Sequence, residues 1–271
     1  EKLHKAGIAV IMDVVYNHTS GTGLGSLYDM TIPYYYYRLD SEGNYSNGSG
    51  CGNETDSSAP MFRQYMVESL KHWMLDYHIN GFRFDLMGLH EVETMKEIYK
   101  ALSEIDPNVM VYGEPWTGGT SPVVNAVGKS NINKCADDTY ATNGVGCFND
   151  DFRNAIKGSE YPEFGTGECS AFDKATSNII IKGLINKNFN ANLGRSINYC
   201  ECHDNLTLSD KIALVMNDKK SPEDGNWVGV SSDTEKSDII KFGKQNELKK
   251  RVMLAGAYMF LAPGTPFING G

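Results

Sequence analysis

The chain repeats one unit: a short apolar run, polar residues where that run ends, an amphipathic stretch of helical period, then the next apolar run. "GIAVIMDVVYNH" opens on an unbroken aliphatic run from Ile8 to Val15, the pattern of a parallel strand buried on both sides, and closes on Asn17 and His18. Met66, Leu70, Trp73, Met74 and Tyr77 then recur at helical spacing within 61–77. Val92, Met95, Ile98, Tyr99 and Leu102 do so within 91–103. Strands are expected at 8–15, 81–86, 109–113, 145–148, 197–202 and 265–268. Further helices are expected near 173–187, 207–216 and 239–261. Alternating strands and helices imply parallel strands joined by right-handed crossovers. A doubly wound sheet or a (β/α)8 barrel could hold them. The first would want a glycine-rich turn directly after a strand, whereas Gly21, Gly23 and Gly25 come late, in a polar loop. The second expects polar groups at the C-terminal ends of several strands. Asn17 and His18, Arg83 and Asp85, Glu114, then His203 and Asp204 meet that expectation. The fold class is therefore α/β, a (β/α)8 barrel, with residues 1–271 read as one domain because no linker divides them.

"NGFRFDLMG", Asn80 to Gly88, sets Arg83 and Asp85 on one face of a strand and Phe82, Phe84 and Leu86 on the other. Two charges among buried residues need a partner or a purpose, so the pair is either a structural ion pair or a catalytic one.

Composition narrows the partners. The 25 Lys and Arg are outnumbered by 34 Asp and Glu, for a net charge of -9, and form no long basic block, which argues against nucleic acid. No apolar run reaches membrane-spanning length. The 15 tyrosines and 11 phenylalanines suit a carbohydrate or another flat, uncharged ligand. Cysteines at 51, 135, 147, 169, 200 and 202 lack zinc-site or thioredoxin-like spacing, and Cys200 and Cys202 read as same-face strand thiols. The loop between the first strand and Asn53, with "IPYYYYRLD", is long enough to be a binding or lid segment.

Asp85, Glu114 and Asp204 at one barrel mouth would place three carboxylates in one pocket, where like charges drive one toward its protonated form. Strands bearing Asp85 and Glu114 would be neighbours, which suits the roughly 5 Å carboxyl separation of a retaining glycosidase. Asp85 would then attack the anomeric carbon, and Glu114 would protonate the departing oxygen and later deprotonate water. Arg83 would keep Asp85 ionised and oriented. Asp204, His18 and His203 would grip sugar hydroxyls, with Asp204 opposing positive charge at the ring. The same three carboxylates could instead hold Mg2+ or Mn2+.

"DVVYNH" (Asp13 to His18), "GFRFD" (Gly81 to Asp85), "GEPW" (Gly113 to Trp116) and "HDN" (His203 to Asn205) resemble, in order, the four short conserved regions of the α-amylase superfamily of glycoside hydrolases. "IPYYYYRLD", "CGNE" and "GEPWTGG" are similar to type I pullulanases and related debranching enzymes, which cleave α-1,6 linkages in pullulan, starch or glycogen. The resemblance implies Asp85 as nucleophile, Glu114 as acid/base and Asp204 as transition-state stabiliser. It implies His18, Arg83, His203 and Trp116 as sugar-binding residues, with Asp13 and Asn17 in support. It implies no cofactor for the chemistry, and it admits a structural calcium ion, because Asn17 matches a calcium ligand of some members.

In that family "DVVYNH" lies on the third barrel strand and "PFI" on the eighth. The resemblance therefore implies that strands three to eight are present and that strands one and two come from the parent chain or from another chain. An α-1,4-cutting amylase and a carbohydrate-binding remnant are the alternative functions. The compartment stays open.

Overall fold

A computed structural model of the chain describes residues 1–136, 143–159, 165–171, 174–185, 194–216 and 245–270. They fall into two compact units, Glu1–Phe148 with Asn190–Arg195, and Asn149–Phe189 with Ser196–Gly271. No glycine- or proline-rich linker marks that division in the sequence.

In the first unit, β1 (Ile11–Val14), β2 (Gly81–Phe84), β3 (Met110–Gly113) and β4 (Gly146–Phe148) pair in chain order, all parallel. Asp13 lies opposite Arg83, and Arg83 opposite Tyr112. The crossovers are helices with one apolar face. Pro60–Tyr77 starts with proline at its first turn, where a missing N–H costs nothing. It stops at His78, whose left-handed backbone (φ 59°) ends the helical run. It buries Phe62, Met66, Val67, Leu70 and Met74. Val92–Ser103 buries Val92, Met95, Ile98, Tyr99 and Leu102, the set its period predicts.

The strands are shorter than their apolar runs. Ile8 and Val15 are exposed, and β1, expected to be buried on both sides, buries only Val14. Among the described residues β1 pairs with β2 and with no second strand. Tyr77, placed on the helix seam by its spacing, is 57% exposed and packs on Trp73. Leu86 leaves the strand alternation: it takes a left-handed conformation (φ 40°, ψ 48°) directly after Asp85.

Gly88 lets two motifs meet. A Cβ there would lie 2.4 Å from the carbonyl oxygen of Trp116, so only glycine allows "DLMG" to pack on "GEPW".

In the second unit, β5 (Ser196–Tyr199) and β6 (Thr265–Phe267) pair in parallel, Ile197 opposite Thr265. Phe152, Ile156, Cys169, Ile180, Ile212 and Met259 form its core. Asn149 caps the helix Asp150–Lys157 by accepting from the Phe152 N–H at 3.1 Å. The helices expected near 173–187 and 239–261 are seen as Ser177–Leu184 and Gln245–Leu261, and residues 173, 186–187 and 239–244 lie outside the described residues. β5 ends at Tyr199, so Cys200 and Cys202 are not strand thiols. Cys200 turns into the core, and burial pushes its thiol up to about 12.

Candidate active site

Each strand of the first unit delivers its polar residue at or just past its C-terminal end. The ladder runs one step beyond the apolar residues, since the Asp85 N–H bonds the Val14 carbonyl and the Glu114 N–H bonds the Phe84 carbonyl, both at 3.1 Å. Asp85 and Glu114 therefore stand side by side on neighbouring strands.

Arg83 joins them. Its Nη1 donates to Asp13 Oδ1 at 2.9 Å and to Asp85 Oδ1 at 3.0 Å, while Nη2 donates to Glu114 Oε1 at 2.5 Å. Its side chain is 9% exposed, against 8% for Glu114, 27% for Asp85 and 54% for Asp13. Burial alone would disfavour the guanidinium charge. The carboxylates of Glu114 and Asp13 outweigh it, and the arginine pKa lies above its ordinary value. The Phe148 ring lies 5.9 Å from the guanidinium carbon. The alternation expected for Asn80 to Gly88 thus holds as far as Asp85: Arg83 and Asp85 meet on one face, with Phe82 and Phe84 fully buried, and Leu86 departs from it.

Asp85 is gripped from its other side by Asn17, whose Nδ2 donates to Asp85 Oδ2 at 3.0 Å and to the Asp85 carbonyl at 2.8 Å. Asn17 Oδ1 in turn meets His18 Nδ1 at 2.5 Å. Glu114 Oε2 accepts from the Leu86 N–H at 2.8 Å, and the left-handed turn at Leu86 is what aims that donor. Trp116, two residues beyond Glu114, is half-buried with its carbonyl against Gly88. Asp13, Asn17, His18, Arg83, Asp85 and Glu114 are thereby brought together.

His203 and Asp204 lie in the second unit, past the end of β5. Both are exposed, and His203 Nε2 lies 3.4 Å from Asp204 Oδ1.

The tyrosines of "IPYYYYRLD" mostly build the loop itself. Tyr28 stacks on Tyr36, Tyr34 stacks on Tyr45, and Tyr37 is buried. Arg38, to which sequence reasoning gave no role, is the loop's anchor. It donates to the Thr55 and Leu89 carbonyls at 3.1 and 2.9 Å and to Glu91 Oε1 at 2.5 Å, and it lies 3.8 Å from the buried Glu54. Asn53 ties the start of the loop to its end, accepting from the Thr19 N–H at 3.0 Å and donating to the Thr19 carbonyl at 2.8 Å. An arginine directly after four tyrosines was the available signal.

His90, next to Glu91, is fully buried against Phe84, and neither ring nitrogen has a hydrogen-bond partner among the described residues. Burial, with the nearby Arg38 charge, pulls its pKa down to about 3. The imidazole is neutral in the folded state, whereas the unfolded chain binds a proton below about pH 6.5. Stability therefore falls as pH drops from about 6.5 toward 3, by about 1.4 kcal/mol per unit within that window. His90→Leu removes this term. The stability of the variant relative to the parent, measured by urea unfolding, rises by about 2 kcal/mol between pH 6.5 and 4.5. A difference that does not change with pH would show that His90 is not held neutral.

Parallel strands joined by helices, with an arginine and a pair of carboxylates gathered at their C-terminal ends, are the arrangement of part of an α/β barrel with its functional face at the strand ends. No protein-family model matches the chain. Pullulanase A of Streptococcus pneumoniae is 33% identical over 276 residues, covering 100% of this chain and 19% of that protein. The solved pullulanase from Bacillus acidopullulyticus is similar at TM-score 0.78 and 36% identity, covering 97% of this chain and 29% of that one. The pullulanase from Anoxybacillus sp. LM18-11, solved in complex with maltotetraose, gives a TM-score of 0.82 and 31% identity, covering 99% of this chain and 35% of that one. The chain thus spans about a third or less of the length of these relatives. It belongs to the α-amylase superfamily of glycoside hydrolases, among the relatives of the pullulanases.

Proposed function

We propose that the complete protein hydrolyses α-1,6-glucosidic branch linkages in pullulan, starch or glycogen, with net retention of anomeric configuration. The observation that carries this reading is the double grip of Arg83 on Asp85 and Glu114 at the ends of neighbouring strands. Asp85, fixed through one oxygen by Arg83 and the other by Asn17, is the nucleophile: it attacks the anomeric carbon to form a glycosyl ester. Glu114 gives its proton to the departing glycosidic oxygen and takes one from the water that breaks the ester. Asp204 opposes the positive charge of the sugar ring, and His18, His203 and Trp116 hold the sugar, an assignment supported by the sequence motifs. The strands seen here are the third to eighth of the barrel, and the first two come from the rest of the parent chain or from another chain. The relatives' much greater length supports this.

No cofactor enters the reaction. A structural calcium ion would draw on the Asn17 amide oxygen, which meets His18 Nδ1 at 2.5 Å and keeps a second lone pair.

The complete protein is expected to convert pullulan mainly to maltotriose while leaving linear amylose largely intact. Product analysis of the two digests checks this. Rapid loss of amylose with little attack on pullulan would make it an α-1,4-acting amylase, and binding of both polymers without turnover would make it a carbohydrate-binding protein.

A further inference from the structure

The loop after β5 carries a second kind of chemistry. Among the described residues, Cys202, His203 and Asp204 are the one group of three metal-ligating side chains whose ligand atoms all lie within 4.8 Å of one another. The Cys202 sulfur is 4.0 Å from Asp204 Oδ2, and His203 Nε2 is 3.4 Å from Asp204 Oδ1. Zinc bonds of about 2.3 Å to sulfur and about 2.0–2.2 Å to nitrogen and oxygen set tetrahedral edges of about 3.3–3.7 Å. The two contacts run to different oxygens of Asp204, and the 4.8 Å spread of the three ligand atoms is wider than these edges, so the side chains have to draw together by up to about 1 Å to hold an ion.

The loop is also pinned on both sides of the tripod. Cys200 is buried in the core, and Glu201 Oε2 accepts the Leu208 N–H at 2.6 Å at the start of the helix Leu208–Met216. Asn205 turns the chain in a left-handed conformation (φ 60°). The anchored backbone lowers the entropy lost when three side chains converge on an ion. Exposure of His203 and Asp204 gives the ion a path from solvent.

We infer that Cys202, His203 and Asp204 form a binding site for a thiophilic divalent cation of the zinc type, and that occupancy switches hydrolysis off. The thiol proton leaves to solvent, the thiolate and carboxylate balance the ion's two charges, and a neutral imidazole supplies the third bond. The fourth position is open to water. The inhibition, though not the binding, rests on the reading of His203 and Asp204 as groups that hold the sugar, since an ion that takes both withdraws them from it.

The test uses the complete protein with Zn2+, and with Co2+ as a spectroscopic probe. A thiolate-to-cobalt absorption band is expected, displaced by Zn2+, absent in Cys202→Ser and retained in Cys51→Ser. In the unsubstituted protein, Zn2+ slows alkylation of Cys202, followed by peptide mass analysis. Zn2+ inhibits pullulan hydrolysis and a chelator restores it, with about a tenfold or greater rise in the half-inhibitory concentration in Cys202→Ser. No cobalt–thiolate band, or unprotected Cys202 at saturating Zn2+, overturns the site. Equal zinc sensitivity of parent and Cys202→Ser overturns the switch. A Cys202-dependent band in a protein that cleaves no glucan keeps the metal site and removes the functional reading instead.

Discussion

Asp85→Asn in the complete protein is expected to lower the turnover of α-glucan on the order of 10^4-fold or more, the scale seen when a nucleophile is lost from a covalent mechanism. The substitution keeps the size of the side chain and an oxygen for Arg83 but turns an NH2 toward the Asn17 amide that donates to Asp85 Oδ2, so unfolding should stay cooperative with a lowered midpoint. The loss then reports chemistry and not collapse of the fold. A fluorinated glycosyl fluoride that forms its ester faster than water breaks it should leave a covalent label, and peptide mapping should place that label on Asp85. Labelling of another residue, or product of inverted configuration, would remove Asp85 from this role.

Glu114→Gln is expected to cost about 10^2- to 10^4-fold on ordinary α-glucans, the usual worth of a positioned general acid. The dependence on leaving group is the sharper readout. Substrates whose departing group needs little protonation should lose far less in their first step, and azide, which needs no general base, should rescue those substrates alone. A glutamine at 114 can accept from Arg83 or from the Leu86 N–H but not from both, and if that lost bond were the whole effect it would depress both substrate classes alike. Equal losses would therefore assign Glu114 to the scaffold.

The parallel strand–helix order was legible because alternation of period two and period three to four survives in short stretches such as Gly81–Phe84 and Val92–Ser103. The polar ends of the strands were legible for the same reason: Arg83, Asp85 and Glu114 interrupt apolar runs in which a charge is costly. Strand ends were less so. Leu86 is as apolar as its neighbours, and nothing local announces that its backbone turns left-handed to reach Glu114. The tyrosines were legible only as a composition that suits a carbohydrate, and their individual places were not: Tyr28 packs on Tyr36, Tyr37 and Phe62. Arg38 and His90 were invisible as a pair, since their surroundings come from segments far apart in the chain.

Parallel strands have no hairpin to set how far one slides along the next, and a crossover helix leaves that offset loosely determined. The guanidinium of Arg83 supplies what the connections lack. Its partners Asp13, Asp85 and Glu114 sit on or just beyond three successive strands, and they converge only when Asp13 stands opposite Arg83. Sliding β2 by a single residue would turn Arg83 toward the layer now filled by Phe82 and Phe84, and a two-residue slide would carry it away from the carboxylates. The first misalignment strands a charge in an apolar layer, and the second leaves Arg83 with Asp85, on its own strand, but without Asp13 and Glu114. The residues proposed to break the glycosidic bond are thus also a vernier for assembling the sheet, and a chain selected for its chemistry is selected for its alignment as well.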